Sequence, residues 1–296
     1  MPTNPSASHI APQSLMVSTI NAWKIYLSDQ GNSIHTVKAF THDLKLLASY
    51  LPSDRMIGAI ATTDLNNFLE WLQSGRGISC SPKSLSRRIT SIKAFFRWLN
   101  KYGVLTIDPA ERVLQKSVIS PLPIVLTKKE VDQLLEAAEA HRSKAKPDAR
   151  YLALFSLLIY SGIKKSETLN LTTNHIELDT KDGPMIFIRY SSPQHRYRER
   201  KIFLPEQWAF IYNEYKAQYD IQDHLFPWSQ RRLEYLLEDL SKEAGLEKHL
   251  SFDMCRWTCA LMDWQSEVEK DRIRQKLGIS KVQWREVSMK LRKLAG

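Results

Sequence analysis

Tyrosine is missing from residues 236–296; the last of the chain's 11 tyrosines is Tyr235. Cysteine is scarce too, with only Cys80, Cys255 and Cys259. Three cysteines so placed set up no disulfide framework. No second Cys or His pair accompanies Cys255 and Cys259 at zinc-ligand spacing, so buried free thiols are expected, with no metal or other cofactor. Long apolar runs are absent: none approaches the roughly 20 residues that a membrane helix needs. Met1–Pro12 lacks the basic start and apolar core of a secretory signal. The expected compartment is therefore the cytoplasm, with no membrane among the partners. There is no internal repeat and no low-complexity tract.

What is present is the balance of a globular protein, 43% hydrophobic and 25% charged residues in a 296-residue chain long enough for two domains. The formal net charge is +10, which favours a polyanionic partner. The excess is uneven. Met1–Ser120 carries 13 Lys/Arg against 7 Asp/Glu, and Arg272–Gly296 sets eight basic residues against Glu286 alone, so the stretch between is slightly acidic.

Helical spacing dominates. Val37, Phe40, Leu44 and Leu47 predict a helix over Ser33–Tyr50, and Leu65, Phe68, Leu69 and Leu72 one over Thr63–Gln73. Ser81-Pro82 starts a third, which keeps a 4-3-4-3 apolar stripe from Leu85 to Leu99 and stops at Gly103. Ser117–Leu126, with two prolines and no period, reads as an interdomain linker. Thr127 and Glu130 form a capping box for the next helix. Tyr151–Tyr160 is almost wholly apolar and reads as a core helix, a short buried strand being the alternative. Pro184–Arg189 and Arg200–Leu204 read as strands joined by the polar turn Tyr190–Glu199, and helices return from Gln207.

Three regions suit a phosphate backbone. On the third helix Lys83, Arg87, Arg88, Lys93, Arg97 and Lys101 supply six positive charges and no acid, with Lys93, Arg97 and Lys101 at i, i+4 and i+8 opposite the apolar face. The turn between the strands carries His195, Arg196, Arg198, Arg200 and Lys201. Near the end lie Lys276, Lys281, Arg285, Lys290, Arg292 and Lys293. There Trp284 and Leu291 suit a helix that binds DNA, docks on a neighbour or packs on its own domain.

From about Ser14 to Ala295 the chain resembles the tyrosine recombinases, or phage integrases. Residues 14–116 resemble the family's helical core-binding, SAM-like domain, and Pro121–Glu130 the approach to its catalytic domain. Ser161-Gly162-Ile163-Lys164-Lys165-Ser166-Glu167 looks like the TGLR-x-SE box. Arg198-Glu199-Arg200 with Ile202 and Leu204 resembles the basic hairpin, Asp253–Trp257 the H-x-x-R-H/W box and Leu277-Gly278-Ile279 the LGH box. The resemblance implies a mainly α fold with a small β-sheet, in two domains. It divides the chain into a disordered lead (1–13), a core-binding domain (14–116), a linker (117–126) and a catalytic-like domain with a basic C-terminal helix (127–296).

In that family a tyrosine attacks a DNA phosphate without a metal. Two arginines and a histidine grip the nonbridging oxygens, and a hairpin lysine protonates the leaving oxygen. Carried over, the first arginine is Lys164, which keeps the charge but loses the guanidinium fork. The lysine falls near His195, with Arg196 or Arg198 beside it. The second-box histidine is Asp253, whose carboxylate would repel a phosphate, while Arg256 is retained. The third-box histidine is Ile279, and the tyrosine aligns near Ser288. The expected DNA contacts are the six helix residues named above with Lys164, Arg196, Arg198, Arg200 and Arg256. The reading is a double-stranded-DNA-binding protein of integrase fold without the usual chemistry. It would serve recombination or integration beside an active recombinase, or beside a second copy docked through the C-terminal helix. The alternatives are an active integrase using Ser288, and a protein-interaction scaffold that no longer binds DNA.

Overall fold

The computed structural model describes residues 9–115 and 121–296. The chain separates into two compact units, Met1–Ser120 and Pro121–Gly296. The expectations for residues 1–8 and 116–120, part of the lead, the last residue of the core-binding domain and part of the linker, lie outside the described residues.

The first unit is helical: α1 (Met16–Asp29), α2 (Ile34–Tyr50), α3 (Thr62–Glu70) and α4 (Pro82–Lys101). Ser33 and Ser81 cap α2 and α4, their hydroxyls accepting from the Thr36 and Ser84 amides at 3.1 and 3.2 Å, and Pro82 opens α4 where its missing N–H costs nothing. Gly103 then ends the helix with φ +75°. Of the α4 stripe, Ile92, Phe96 and Leu99 are fully buried in one core with Trp23, Leu44, Leu47 and Phe68, while Leu85 at its start is partly buried. Helix α3 runs on into a single π-type turn over Trp71–Gly75. Residues 9–13 differ from the expected disordered lead. Ile10 packs on this core, and the Pro12 carbonyl accepts from the Gly58 amide at 2.8 Å.

The second unit is built around α6 (Arg150–Ser161), whose residues 152–159 are all buried. That resolves the apolar run as a core helix. Around α6 pack α5 (Lys128–Ala140), α8 (Gln207–Tyr219), α9 (Gln230–Glu243) and α10 (Phe252–Gln265). The capping box at α5 is present, with Thr127 N donating to Glu130 Oε2 at 2.7 Å and Glu130 N to Thr127 Oγ1 at 3.2 Å. The short α7 (Lys165–Leu169) follows α6.

An antiparallel sheet comes next, ordered β1 (Ile176–Glu177), β2 (Met185–Ile188), β3 (Arg200–Phe203), with Ile186 opposite Ile202. The connection between β2 and β3 is not an open polar turn: Pro193–Arg198 winds into a 3₁₀ helix. The chain ends with α11 (Lys270–Lys276) and α12 (Lys281–Ala295). Helix α12 packs on its own unit, with Leu291 fully buried beside Leu261 and Ile273 and the Trp284 ring 6.3 Å from that of Trp264. No helix among the described residues is long and apolar enough to cross a membrane.

Candidate nucleic-acid interface

Gly162 closes α6 in the left-handed region at φ +60°, with the Cys259 thiol 3.1 Å from where a side chain would begin. The chain turns there, so that Lys164 stands at the N-cap of α7 and its amide donates to Glu167 Oε2 at 2.8 Å. The Glu167 side chain is 1% exposed and its carboxylate is saturated. Arg200 grips it with both terminal nitrogens, Nη1 to Oε1 at 3.0 Å and Nη2 to Oε2 at 2.9 Å, and the Tyr190 hydroxyl donates to Oε1. Burial alone would raise this carboxyl. The Arg200 hydrogen bonds and charge outweigh it and hold Glu167 at about 2. Burial and the bond to Glu167 push Tyr190 up to about 12.

Arg200 is itself 8% exposed. Its Nε donates to the Lys276 carbonyl at 2.6 Å and its Nη1 also to the Arg198 carbonyl at 3.2 Å. Gly278 lies against it: a Cβ there would stand 2.5 Å from Nη1. Arg200 thus joins the base of the hairpin to the end of α11 and is removed from the expected DNA-facing set. Its sequence neighbours gave it the look of a surface cation, and only burial distinguishes the two roles.

Arg256, on α10, does parallel work. Its Nη1 donates to the Gly162 carbonyl and its Nη2 to the Leu277 carbonyl at 2.5 Å. Burial pulls the guanidinium below its ordinary value, against the raising effect of Glu167. Lys164 is half-buried, its ammonium 3.9 Å from Glu167 Oε1. Burial first, then the charges of Arg256, Arg198 and Arg200, bring Lys164 down to about 8 despite Glu167.

Lys164 and Arg256 open into one cleft of 630 Å³ within this unit, together with Lys165, Arg231, Tyr235 and Asp253. Lys165 is paired with Glu234 at 2.8 Å, and Arg231 Nε donates to the Tyr235 hydroxyl at 2.8 Å. Asp253 is exposed in the first turn of α10, a position the helix dipole favours for a carboxylate.

The other expected positions are dispersed. His195 sits in the 3₁₀ segment with its ring 5.8 Å from that of Tyr190, and its buried Nδ1 has no hydrogen-bond partner. Arg196 is exposed, while Arg198 donates through Nε and Nη2 to the Tyr197 hydroxyl at 2.9 and 2.7 Å. Ile279 packs in the apolar cluster beneath α12. The Ser288 hydroxyl donates to the Arg285 carbonyl of its own helix at 3.2 Å. Among the described residues no hydrogen bond ties Ser288 to Lys164, Asp253 or Arg256. No group of His, Cys, Asp or Glu among them is arranged to hold a metal.

In the first unit the cationic stripe divides. Asp43, whose side chain is fully buried, draws in Arg87 by a short ion pair and Arg88 at 3.7 Å, and accepts from Ser91 at 2.8 Å. Arg88 also donates to the Cys80 thiol at 2.7 Å. Both arginines therefore serve the packing of α2 on α4, a role the sequence did not disclose because Asp43 lies 44 and 45 residues away. Lys83, Arg97 and Lys101 are exposed and Lys93 partly so. Lys93 and Arg97 share a 470 Å³ groove with Asp108 and Glu111, so acids do flank this end of the stripe.

A model described as phage integrase, N-terminal SAM-like domain, matches residues 20–103, and one described as phage integrase family matches residues 125–284. The tyrosine recombinase XerC of Roseiflexus castenholzii is 30% identical over 170 residues, 56% of this chain and 52% of that protein. The XerC of Mycobacterium tuberculosis (strain ATCC 25177 / H37Ra) is 32% identical over 164 residues, 55% of this chain and 54% of that protein. The chain spans about half the length of these curated relatives. Among solved structures, XerH site-specific recombinase bound to palindromic difH substrate superposes with TM-score 0.72 at 17% identity, over 94% of this chain and 82% of that one. A lambda integrase dimer bound to a COC′ core site gives 0.71 at 15% identity, over 93% and 77%. At these identities the two likenesses bear on the fold alone.

Proposed function

The chain belongs to the phage integrase, or tyrosine recombinase, family, and from that premise we propose that it binds duplex DNA as an accessory or regulatory subunit of recombination or integration and does not cut it by the family's reaction. The observation that carries this reading is the composition of the cleft. Lys164 and Arg256 line the cleft beside a carboxylate, Glu167, that Arg200 and Tyr190 already saturate, so the charge of these two cations is left over at the cleft wall. Two of the five N–H groups of Arg256 go to carbonyls, and three remain for a phosphate oxygen. The Lys164 ammonium supplies a point charge beside them.

The reacting groups support the same reading by their positions. Ser288 is committed to its own helix and has no base within hydrogen-bond reach among the described residues. Ile279 has no donor to offer, and Asp253 brings negative charge to the cleft. Such a site holds a phosphate and leaves its ester bonds intact. The XerH and lambda integrase likenesses make duplex DNA the natural ligand, and the lambda integrase dimer suggests a second subunit, either a further copy of this chain or an active recombinase. Lys83, Arg97, Lys101 and Arg196 are the exposed cations best suited to extend the grip along the backbone.

The test is a salt series with a fluorescent duplex, each sample also run on a denaturing gel. The expected result is affinity that falls log-linearly with salt, with a slope of about 0.9 per neutralised phosphate, and no adduct surviving denaturation. A surviving adduct would mean that a nucleophile remains and the reading is wrong. A flat salt dependence would shift the balance to a protein-interaction scaffold.

A further inference from the structure

Lys164 stands where the resemblance places an arginine, and the two side chains differ in one respect that matters here: a lysine can give up its proton near neutral pH and an arginine cannot. Its surroundings bear on that difference. Arg198 and Arg200 face it from the hairpin and Arg256 from α10. On α7 its one acidic neighbour, Glu167, already accepts from Arg200, Tyr190 and the Lys164 amide, and comes no nearer to the ammonium than 3.9 Å. The rest of the cleft is of mixed sign: Lys165 is paired with Glu234, Arg231 is bonded to Tyr235, and Glu238, His249 and Asp253 complete the rim. The ammonium is therefore half-buried among guanidiniums, and the one carboxylate it pairs with, Glu167 at 3.9 Å, is shared with Arg200.

We propose that DNA binding at this cleft is proton-linked: Lys164 takes up a proton as a phosphate enters, so that the protein releases DNA as the solution turns alkaline. The proposal rests on the phosphate-holding reading above and adds its regulation. In the free protein Lys164 titrates at about 8. A backbone phosphate within contact distance adds counter-charge to the share of Glu167 that Arg200 leaves and restores the group toward its ordinary range. A group whose value rises on binding takes up protons, so affinity is full below the free value and falls as pH rises through it. With the free group at about 8 and the bound one near its ordinary value, affinity drops roughly eightfold between about pH 7.5 and 9.

The experiment uses the full chain, a fluorescein-labelled duplex and constant ionic strength across that range, comparing wild type with Lys164→Arg and Lys164→Met. Wild type is expected to lose about eightfold, Lys164→Arg to bind as tightly at both ends, and Lys164→Met to bind weakly at both. Calorimetry in two buffers of different ionisation heat, at about pH 9, is expected to show uptake approaching one proton per site in wild type and none in Lys164→Arg. A wild type with no pH dependence, or a Lys164→Arg that loses affinity in parallel with it, overturns the proposal. If Lys164→Met binds as wild type does at the lower pH, the phosphate-holding reading itself fails, whatever the pH series shows.

Discussion

Replacing Glu167 by Gln tests whether the Glu167–Arg200 pair holds the second unit together. The carboxylate is held at about 2 against an ordinary 4.5. At about 1.4 kcal/mol for each tenfold change in proton affinity, this corresponds to about 3 kcal/mol in favour of the folded state at neutral pH. The same size follows from removing one partner of a buried ion pair and leaving the other uncompensated, about 3–5 kcal/mol. The sign with pH is fixed, because the folded value lies below the unfolded one. The contribution is fully present above about pH 4.5 and is lost as pH falls through about 2. Wild type and Glu167→Gln should therefore differ by about 3 kcal/mol at pH 7, by less than half of that near pH 3, and hardly at all below 2.

Since the chain has two units, a global probe would mix their transitions. Hydrogen exchange read peptide by peptide through a urea series isolates residues 121–296. A difference under about 1 kcal/mol at pH 7, or one of equal size at pH 3, would refute the reasoning.

Three further outcomes are expected. Gly278→Ala combines a left-handed backbone (φ +58°) with a Cβ 2.5 Å from Arg200 Nη1, and should destabilise the second unit by about 2 kcal/mol or more; Gly103→Ala, equally left-handed but with open space around it, should cost its unit only about 1 kcal/mol. Equal losses in urea unfolding would remove the crowding argument. Asp43→Asn leaves Arg87 and Arg88 without a counter-charge beneath α4 and should cost about 2 kcal/mol of first-unit stability by the same exchange measurement; a neutral result would return both arginines to the surface set. Ser288→Ala removes one weak hydroxyl contact on α12 and should change stability by less than about 0.5 kcal/mol and leave DNA affinity unaltered; lost strand cleavage in that variant would reveal an active enzyme.

Local signals were legible wherever they acted over a turn or two of chain. The Thr127–Glu130 box, the Ser81-Pro82 start and the Gly103 stop were readable because each lies beside the groups that it satisfies. Helix α1 carries its signal in blurred form: Met16, Ile20, Trp23 and Leu27 keep helical spacing, but exposed Val17 and Ile25 interrupt its outer face, and Leu15 offers no side-chain cap. Strand β1, two residues long, has too little pattern to find. What sequence could not separate was one cation from another. Arg87, Arg88 and Arg200 look like surface charge in a row of letters, yet each answers to a carboxylate 33 to 45 positions away. The depressed Lys164 depends likewise on burial and on three arginines from the 3₁₀ segment, β3 and α10. Charge composition is a local count, whereas desolvation and pairing are set by the tertiary fold.

The turn between α11 and α12 is sewn to the rest of its unit by two arginines, Arg200 at the Lys276 carbonyl and Arg256 at the Leu277 carbonyl. An arginine kept at position 256 therefore reports that this seam is closed, and is silent on whether a strand is ever cut. A count of box residues would score Arg256 for chemistry alone, although it also ties the end of α6 to the end of α11. The constraint on Arg256 is then one of fold, set by the two carbonyls it ties, and it holds whatever the chain does to a strand.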